Sequence, residues 1–385
     1  MSSPRFDAPP VLITTTAELS ALVDTLLTFD RVAIDTESDG FYRYERRICL
    51  VQLTAGGVDY IVDPLKEGDL SPLAALLTSE AVEKVFHGGE NDLTLFLDTL
   101  GVRLAAPWYD TYIAAQFAGE PQVGFGALVD QHFGFKLDKR FQLHDWGDRP
   151  LSPEAVAYAR GDTHFLIPLR DKMAEAVAEK GREAHVAEEL ERLLEKVSPT
   201  APFDPDACLR LKGTRGFKAA HYKVLRELFV MRDRLAREAN VAPFRVLANQ
   251  HLVDLSRSQP RTLDALNALP LAKDRGVRRH ARSIVDAVEA GRQPDAPVPA
   301  HPQRGGGGPP APEIEERLKA LKAWRQRACE ELGLSPGLVA SNNVLGAVAE
   351  ANPSDIEALS LVGEVRRWQI RDFGDAWLEA LRRAG

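Results

Sequence analysis

The spacing of apolar and polar residues divides the chain into a segment with both strands and helices and a helical remainder. Runs rich in β-branched residues predict short strands at 11–14, 31–37, 47–53, 58–63 and 84–87. Thr15 and Glu18 match a capping box that begins a helix ending near Phe29, and residues 90–100 have helical spacing. Residues 109–196 are mainly helical in pattern. The first 200 residues therefore predict an α/β domain with a mixed sheet flanked by helices.

The helical remainder contains an internal duplication. A gap-free shift of 93 residues aligns leucines at helical spacing and also aligns Pro243 with Pro336, Asn249 with Asn342 and Pro260 with Pro353. Chance matches leucines far more readily than prolines, so the register predicts two related all-α modules of about 75 residues. Seven Pro and four Gly in residues 293–312 are typical of a linker. The predicted division is a first domain at 1–200, a connector at 201–217, a first helical module at 218–292, the linker at 293–312 and a second helical module at 313–385.

The composition is that of a globular protein, since 44% of the 385 residues are hydrophobic and 27% are charged. The sequence has no run of about 18 apolar residues, which argues against a membrane span. The first ten residues lack a basic region followed by an apolar stretch, so secretion is not expected. Cys49, Cys208 and Cys329 are widely spaced, which disfavours a disulfide framework or a zinc site and fits a reducing cytoplasm.

The net charge of −8 is unevenly distributed along the chain. Residues 1–200 carry 19 basic and 33 acidic side chains, residues 201–292 carry 18 and 10, and residues 293–385 carry 11 and 13. A basic middle segment in an acidic chain is expected where one module contacts a polyanion. A solvated basic face would give the same count, so charge alone leaves both interpretations open.

The first candidate for chemistry is the pair Asp35 and Glu37 on a predicted strand. Side chains alternate across a strand, so these two carboxylates share one face, with Val32, Ile34 and Thr36 on the other. Neighbouring carboxylates repel each other, and a bound divalent cation would relieve that repulsion. A solvated polar strand end is the alternative.

Two further motifs add carboxylates and a phenol. Asp92 lies in the first turn of a predicted helix, where the helix dipole alone would favour it. Tyr158 and Asp162 are separated by four residues and share one face of a later helix, a spacing that is weak evidence by itself. Between them, Gly161 disfavours the helix and indicates a close approach by backbone.

Together the three motifs are more specific than any one of them. Four carboxylates and one tyrosine form the set of side chains required by a two-metal phosphodiesterase. Two cations about 4 Å apart would stabilise the attacking and leaving oxygens of an in-line displacement. The tyrosine would position the attacking water and assist its deprotonation.

These motifs resemble those of the ribonuclease D family, within the DEDD superfamily of 3′–5′ exonucleases and its tyrosine branch. The resemblance is carried by residues 32–37, 47–53, 87–93 and 158–162, with further matches at 110–111, 139–142 and 145–151. It implies a ribonuclease H-like α/β exonuclease domain followed by two helicase-and-RNase-D C-terminal (HRDC) domains. It also implies that Asp35, Glu37, Asp92 and Asp162 bind two divalent cations, Mg²⁺ or Mn²⁺, and that Tyr158 orients the nucleophile.

The expected activity is metal-dependent trimming of RNA from a free 3′ end, with structured precursors such as tRNA as substrates and nucleoside 5′-monophosphates as products. A cytoplasmic monomer is expected. Side chains that would contact RNA are Gln52, Lys139, Gln142, Trp146, Arg149, Lys212, Arg215 and Lys218. A structural role competes for Gln52, and a buried position in a folded loop competes for Trp146. A DNA 3′–5′ exonuclease and a non-catalytic RNA-binding protein are the alternative functions.

Overall fold

The structure, a computed structural model, describes residues 8–299 and 311–384. In chain order, the first domain contains β1 (Val11–Thr15), α1 (Thr16–Leu26), β2 (Arg31–Ser38), β3 (Ile48–Ala55), β4 (Val58–Glu67), α2 (Leu73–Leu77), β5 (Glu83–Phe86), α3 (Glu90–Leu100), β6 (Trp108–Asp110), α4 (Thr111–Ala118), α5 (Phe125–Phe133), α6 (Pro153–His164), α7 (Leu166–Glu179) and α8 (Glu183–Lys196). The predicted strands and the helix at 90–100 are all present, whereas β6 is an additional strand that is too short to produce a sequence signal.

The helical remainder begins with a 3₁₀ turn at Pro205–Arg210. The first helical module contains α9 (Ala219–Ala239), α10 (Pro243–Val246), α11 (Asn249–Ser258), α12 (Leu263–Asn267), a 3₁₀ turn (Pro270–Lys273), α13 (Arg275–Arg279) and α14 (Ala281–Arg292). The second contains α15 (Pro312–Leu332), α16 (Pro336–Val339), α17 (Asn342–Ala351), α18 (Ile356–Ser360) and α19 (Arg367–Ala384).

The first domain is built on a mixed six-stranded sheet with strand order β1-β4-β3-β2-β5-β6. β2 lies inside the sheet, antiparallel to β3 and parallel to β5. One face of β2 sends Val32 and Ile34 into the main core with residues of α1 and α3, while Ala33 on the other face packs against α7. Helices therefore cover both faces, which confirms the predicted mixed sheet flanked by helices.

The capping box predicted for α1 is present. Thr15 Oγ1 accepts a hydrogen bond from the Glu18 backbone N–H at 3.2 Å, and the Glu18 carboxylate accepts one from the Thr15 backbone N–H at 3.0 Å. The helix ends before the predicted Phe29. The backbone N–H groups of Thr28 and Phe29 bond to carbonyls three residues earlier, so the last turn tightens and turns the chain into β2.

The duplication seen in the sequence is confirmed by the structure. The first four helices of the two modules have the same lengths and begin 93 residues apart. Left-handed residues end corresponding helices, with Asn240 (φ 48°) matching Gly333 (φ 63°) and Gln259 (φ 46°) matching Asn352 (φ 45°). The modules differ at their ends, because α13 and α14 are separate helices whereas α19 is continuous.

The second helical module packs directly on the first domain through α8 and α19. Its buried Trp368, Phe373 and Trp377 belong to the same apolar core as the first domain. Glu188 of α8 accepts hydrogen bonds from the backbone N–H groups of Arg367 (2.7 Å) and Trp368 (3.0 Å). A carboxylate of one domain thus satisfies free N–H groups at the start of a helix in another.

The first helical module has an apolar core of its own and contacts the first domain at the turn of residues 39–47, which joins β2 to β3. The Tyr44 hydroxyl donates to Asp233 at 2.7 Å, and the Ala242 backbone N–H donates to the Tyr42 carbonyl at 3.1 Å. The same turn therefore follows the candidate site strand β2 and holds the first module.

Part of the predicted linker at 293–312 and the first seven residues lie outside the described ranges. Within the described ranges, no helix combines the length and the apolar character needed to cross a membrane.

The contact at Glu188 leads to a stability prediction. Glu188→Ala should lower the free energy of unfolding by about 1–3 kcal/mol, because two buried N–H groups lose their acceptor. It should also speed amide hydrogen exchange in the first turn of α19. The control is Glu191→Ala, which removes an exposed ion pair with Arg367 and should change stability by less than about 1 kcal/mol. Equal effects of the two variants would contradict the capping role.

Candidate active site

The candidate site is built on the half-buried second half of β2. Asp35 pairs with Gln52 and Glu37 pairs with Leu50 across the antiparallel ladder to β3, so all four side chains belong to one face of the sheet. This face is covered by α6, which contacts β2, β3 and β4. The sequence prediction that Asp35 and Glu37 share a face is consistent with this register.

Helix α6 supplies Tyr158 and Asp162. The helix begins with Ser152, whose hydroxyl accepts from the Ala155 backbone N–H at 3.1 Å, and Pro153 occupies its first turn. Gly161 is buried, and a Cβ there would lie 3.1 Å from Leu137 Cδ2. The expected backbone approach is wrong, because the close neighbour of this glycine is a side chain of the segment before α6.

Asp92 reaches the site from the opposite face of the sheet. It lies in the first turn of α3, after Gly88 (φ 68°) and Gly89, whose backbone N–H groups both donate to the Asp110 carboxylate at 3.0 and 2.9 Å. The Thr36 hydroxyl, on the face of β2 opposite Asp35, donates to Asp92 Oδ1 at 2.5 Å. Asp110 and Thr36 thus hold the turn and the carboxylate in place.

The structure brings the predicted carboxylates together. Oxygen atoms of Asp35, Glu37 and Asp162 lie within 4.8 Å of one another. Asp92 lies beside this trio, close enough for its charge to act on all three. Hard oxygen ligands in this number and spacing fit a divalent cation such as Mg²⁺ or Mn²⁺.

The electrostatics of the site are dominated by burial and by repulsion among these acids. Burial, followed by the charges of Asp92, Asp162 and Glu37, raises the pKa of Asp35 well above its ordinary value. Burial and the charges of Asp162 and Asp92 raise the pKa of Glu37 to about 9. Burial raises the pKa of Asp162 to about 7, with a contribution from Asp92, and burial raises that of Asp92 to about 6. A cluster that resists ionisation alone is one that a cation would stabilise.

Tyr158 lies against an aromatic wall beside the carboxylates. Its ring centroid is 5.8 Å from that of Phe141 and 5.9 Å from that of Trp146. Burial and the charges of Asp162, Glu37 and Asp35 raise the pKa of the Tyr158 phenol above its ordinary value. The phenol is therefore held in its neutral form and keeps an O–H to donate.

An open cleft of about 340 Å³ adjoins the carboxylates. Its lining includes two of the side chains predicted to contact RNA, Lys139 and Gln142, together with Tyr158 and Asp162. The rest of the lining was not predicted from the sequence and includes Gln122 and the start of α5 at residues 124–127. The closely spaced Gly124 and Gly126 were the available signal, because glycines before a helix permit a ligand to approach the backbone.

Three predicted RNA contacts do not line this cleft. Trp146 is 2% exposed and supports Tyr158, and Gln52 is fully buried, with no hydrogen-bond partner for its amide among the described residues. The Arg149 guanidinium bonds to both Asp63 carboxylate oxygens at 2.7 and 2.9 Å and to the Cys49 carbonyl at 3.0 Å. Trp146 and Gln52 are therefore interior side chains, whereas the Arg149 side chain keeps 20% of its surface exposed and is held by internal partners.

The remaining predicted contacts lie elsewhere. Lys212, Arg215 and Lys218 are exposed where the chain enters the first helical module, and they do not line the cleft. These three side chains would contact RNA outside the cleft, on a part of the strand away from the 3′ end that the cleft would hold.

The acidic cluster predicts a pH-dependent stability in EDTA. Because the pKa of Glu37 is raised from 4.5 to about 9, the native state binds more protons than the unfolded state in this interval. The free energy of unfolding should therefore fall as the pH rises through it, and Mn²⁺ should reduce the fall. Glu37→Gln should flatten the slope, whereas the exposed Glu175→Gln should not. Urea unfolding at several pH values measures this, and equal slopes would contradict the assigned repulsion.

Comparison with known proteins agrees with this geometry. A family model described as 3′-5′ exonuclease matches residues 10–178, and the HRDC domain model matches residues 221–288 and 314–381. Ribonuclease D of Gluconacetobacter diazotrophicus is 36% identical over 95% of this chain and 91% of that protein, and ribonuclease D of Escherichia coli K12 is 30% identical over 86% and 87%.

Solved structures agree as well. The crystal structure of Escherichia coli RNase D, an exoribonuclease involved in structured RNA processing, has a TM-score of 0.73 at 26% identity and covers 98% of this chain and 99% of that chain. The catalytic core of RRP6 from Trypanosoma brucei has a TM-score of 0.65 at 27% identity and covers 76% and 83%. The chain contains an exonuclease domain followed by two HRDC domains, and ribonuclease D relatives match it over most of its length. It therefore belongs to the ribonuclease D family of 3′–5′ exoribonucleases.

Proposed function

We propose that this enzyme trims structured RNA precursors, tRNA precursors above all, from a free 3′ end and releases nucleoside 5′-monophosphates in a reaction that needs two divalent cations. The observation that carries the proposal is the trio Asp35, Glu37 and Asp162, whose oxygen atoms lie within 4.8 Å beside an open cleft. An Escherichia coli relative of similar fold is described as acting on structured RNA, which supports the substrate class.

Asp35, Glu37, Asp92 and Asp162 would hold Mg²⁺ or Mn²⁺. Their raised pKa values, caused by burial and mutual repulsion, support this role, because a cation would offset both. When bound, the cations would supply Lewis-acid stabilisation of the attacking and leaving oxygens. Asp110 and Thr36 would act through Asp92 by holding its turn and its carboxylate.

Tyr158 would orient the attacking water. In the metal-free protein its phenol is neutral because burial and the adjacent acids raise its pKa, so it offers a hydrogen bond and does not serve as a proton acceptor. Lys139 and Gln142 in the cleft wall would contact the phosphate and the terminal nucleotide.

We also propose a division of labour among the predicted parts, with residues 1–200 as the catalytic domain, 201–217 as connector, 218–292 and 313–385 as HRDC domains, and 293–312 as linker. The first HRDC domain, with Lys212, Arg215 and Lys218 at its entrance, would hold the RNA backbone through its excess of positive charge. The second would mainly stabilise the catalytic domain through the Glu188 contact. The enzyme would act as a monomer.

The decisive test is digestion of one RNA labelled at either end, with Mg²⁺, Mn²⁺ or EDTA. The 3′ label should appear first as a mononucleotide 5′-monophosphate, and the 5′ label should appear in a ladder of shortening products, in either metal and not in EDTA. Asp35→Asn should digest neither RNA. Activity in EDTA or internal cleavage would contradict the proposal. Faster digestion of a DNA of the same sequence would show that the enzyme prefers DNA to RNA.

Tyr158→Phe should lower kcat by roughly 100-fold or more, within the range for a proton-handling or positioning group. Since the ring is kept, Mn²⁺ should still raise the melting temperature. Tyr112→Phe is the matched control, because this exposed tyrosine does not line the cleft. Single-turnover digestion at saturating RNA is the measurement, and an unchanged rate for Tyr158→Phe would reduce Tyr158 to a packing residue.

Replacing Lys212, Arg215 and Lys218 together by Ala should weaken the binding of a tRNA precursor. It should also flatten the dependence of log affinity on log salt by roughly 0.7–0.9 for each lost phosphate contact. The control replaces three exposed basic residues of α15, which are Lys319, Lys322 and Arg327. Equal salt slopes for the two triple variants would show that the first HRDC domain does not hold the RNA backbone.

A further inference from the structure

Two large aromatic side chains are exposed where the catalytic domain meets the first HRDC domain. Phe41, in the turn after β2, is 47% exposed, and Phe244, in α10, is 44% exposed. Their ring centroids are 4.9 Å apart with planes tilted by 57°. Together with Tyr42 and Arg245 they form what we call the interdomain aromatic surface.

Arg245 adds a positive charge to this surface. Its Nε donates to the Phe41 carbonyl at 2.7 Å, and its guanidinium carbon lies 3.9 Å from the centroid of the Tyr42 ring. The same group lies 5.8 Å from the Phe41 ring and 5.9 Å from the Phe244 ring. Arg245 is exposed and forms no ion pair with any residue in the described ranges, so its charge remains available to a ligand.

Polar bonds also join the two domains beside the exposed rings. The Tyr44 hydroxyl donates to Asp233 at 2.7 Å, and the Ala242 backbone N–H donates to the Tyr42 carbonyl at 3.1 Å. Arg237 also donates to the Tyr44 hydroxyl at 3.0 Å. The domain contact therefore includes polar bonds besides the ring contact, and Phe41 and Phe244 still leave 47% and 44% of their surface exposed to solvent.

A hydrogen bond links the interdomain aromatic surface to the segment that lines the cleft. The turn that carries Phe41 begins directly after β2, two residues beyond Glu37. The Tyr42 hydroxyl donates to the Leu143 carbonyl at 2.5 Å, and the preceding residue, Gln142, lines the cleft with Tyr158. A strand whose terminal nucleotide lies in the cleft could thus pass from Gln142 across Tyr42 to the exposed rings.

We propose that the interdomain aromatic surface stacks a base of the RNA strand on the 5′ side of the nucleotide held in the cleft. Exposed aromatic rings combined with an unpaired cation are the chemistry that binds single-stranded nucleic acid without sequence preference, since every base has a π-face. The inference rests on the proposed function, because the strand must enter with its 3′ end in the cleft. It assigns the enzyme a second subsite, built from two domains, for the unpaired segment that joins a structured RNA to its 3′ end.

The test uses the full-length chain in EDTA and a labelled oligoadenylate of about 12 nucleotides, within the range of single-strand binding sites. Phe244→Ala and Phe41→Ala should each weaken binding by about 5- to 100-fold, the effect of losing one stacked base. Phe244→Tyr keeps a ring and should restore the affinity. Leu361→Ala, which removes an 82% exposed leucine in the second HRDC domain, is the control and should bind as the wild type does.

Abasic substitutions in the same RNA separate stacking from a general loss of fold. One abasic position should weaken binding to the wild type and have little further effect on Phe244→Ala, because both changes remove the same contact. Additive losses at every position would overturn the inference, as would wild-type affinity in Phe41→Ala and Phe244→Ala. The latter result would leave a protein partner as the occupant of this surface.

Digestion separates this inference from the proposed function. With Mg²⁺, Phe244→Ala should raise KM for the long oligoadenylate and leave kcat unchanged, because the surface would bind the strand and would not touch the reacting phosphate. If the wild type trims RNA and Phe244→Ala has an unchanged KM, only the stacking inference fails. If the wild type does not trim RNA but the abasic coupling is observed, only the proposed function fails.

Discussion

The mutual repulsion of buried carboxylates is the constraint on which the site depends. Asp35, Glu37 and Asp162 lie within 4.8 Å of one another, with Asp92 beside them, in surroundings that raise the pKa of each. Such a group of acids is unfavourable in an apo protein and persists only where the surrounding fold enforces it. A bound divalent cation would offset this repulsion. The interaction that opposes folding of the metal-free protein would therefore favour the binding of metal.

The scaffold enforces this arrangement from both faces of one strand. The pairing of β2 with β3 directs Asp35 and Glu37 toward α6, while Thr36, on the other face, holds Asp92 of α3. Asp110 fixes the turn before α3 by accepting hydrogen bonds from two backbone N–H groups. A strand inside the sheet whose half-buried end lies between two helix layers is therefore what allows carboxylates from distant parts of the sequence to converge.

The two HRDC domains are similar in fold but differ in how they attach to the catalytic domain. The second HRDC domain shares an apolar core with the catalytic domain. The two are also joined by Glu188, whose carboxylate accepts hydrogen bonds from the first backbone N–H groups of α19. The first keeps a separate core and is bonded to the turn of residues 39–47, at which Tyr44 meets Asp233. Because that turn follows β2, the domain with the positive excess is the one attached next to the catalytic strand.

Features that depend on local spacing could be predicted from the sequence: the α1 capping box of Thr15 and Glu18, the strands of the sheet, the duplicated helices and the polar side chains of β2 and α6. The accessibility of polar and aromatic side chains could not, because it depends on contacts between distant parts of the chain. Trp146 and Arg149 have the chemistry of RNA-binding residues, yet they are enclosed by contacts with distant residues, and the exposed pair of Phe41 and Phe244 arises from two domains. Periodicity is set by neighbours along the chain, whereas exposure is set by what packs on top, which no local pattern records.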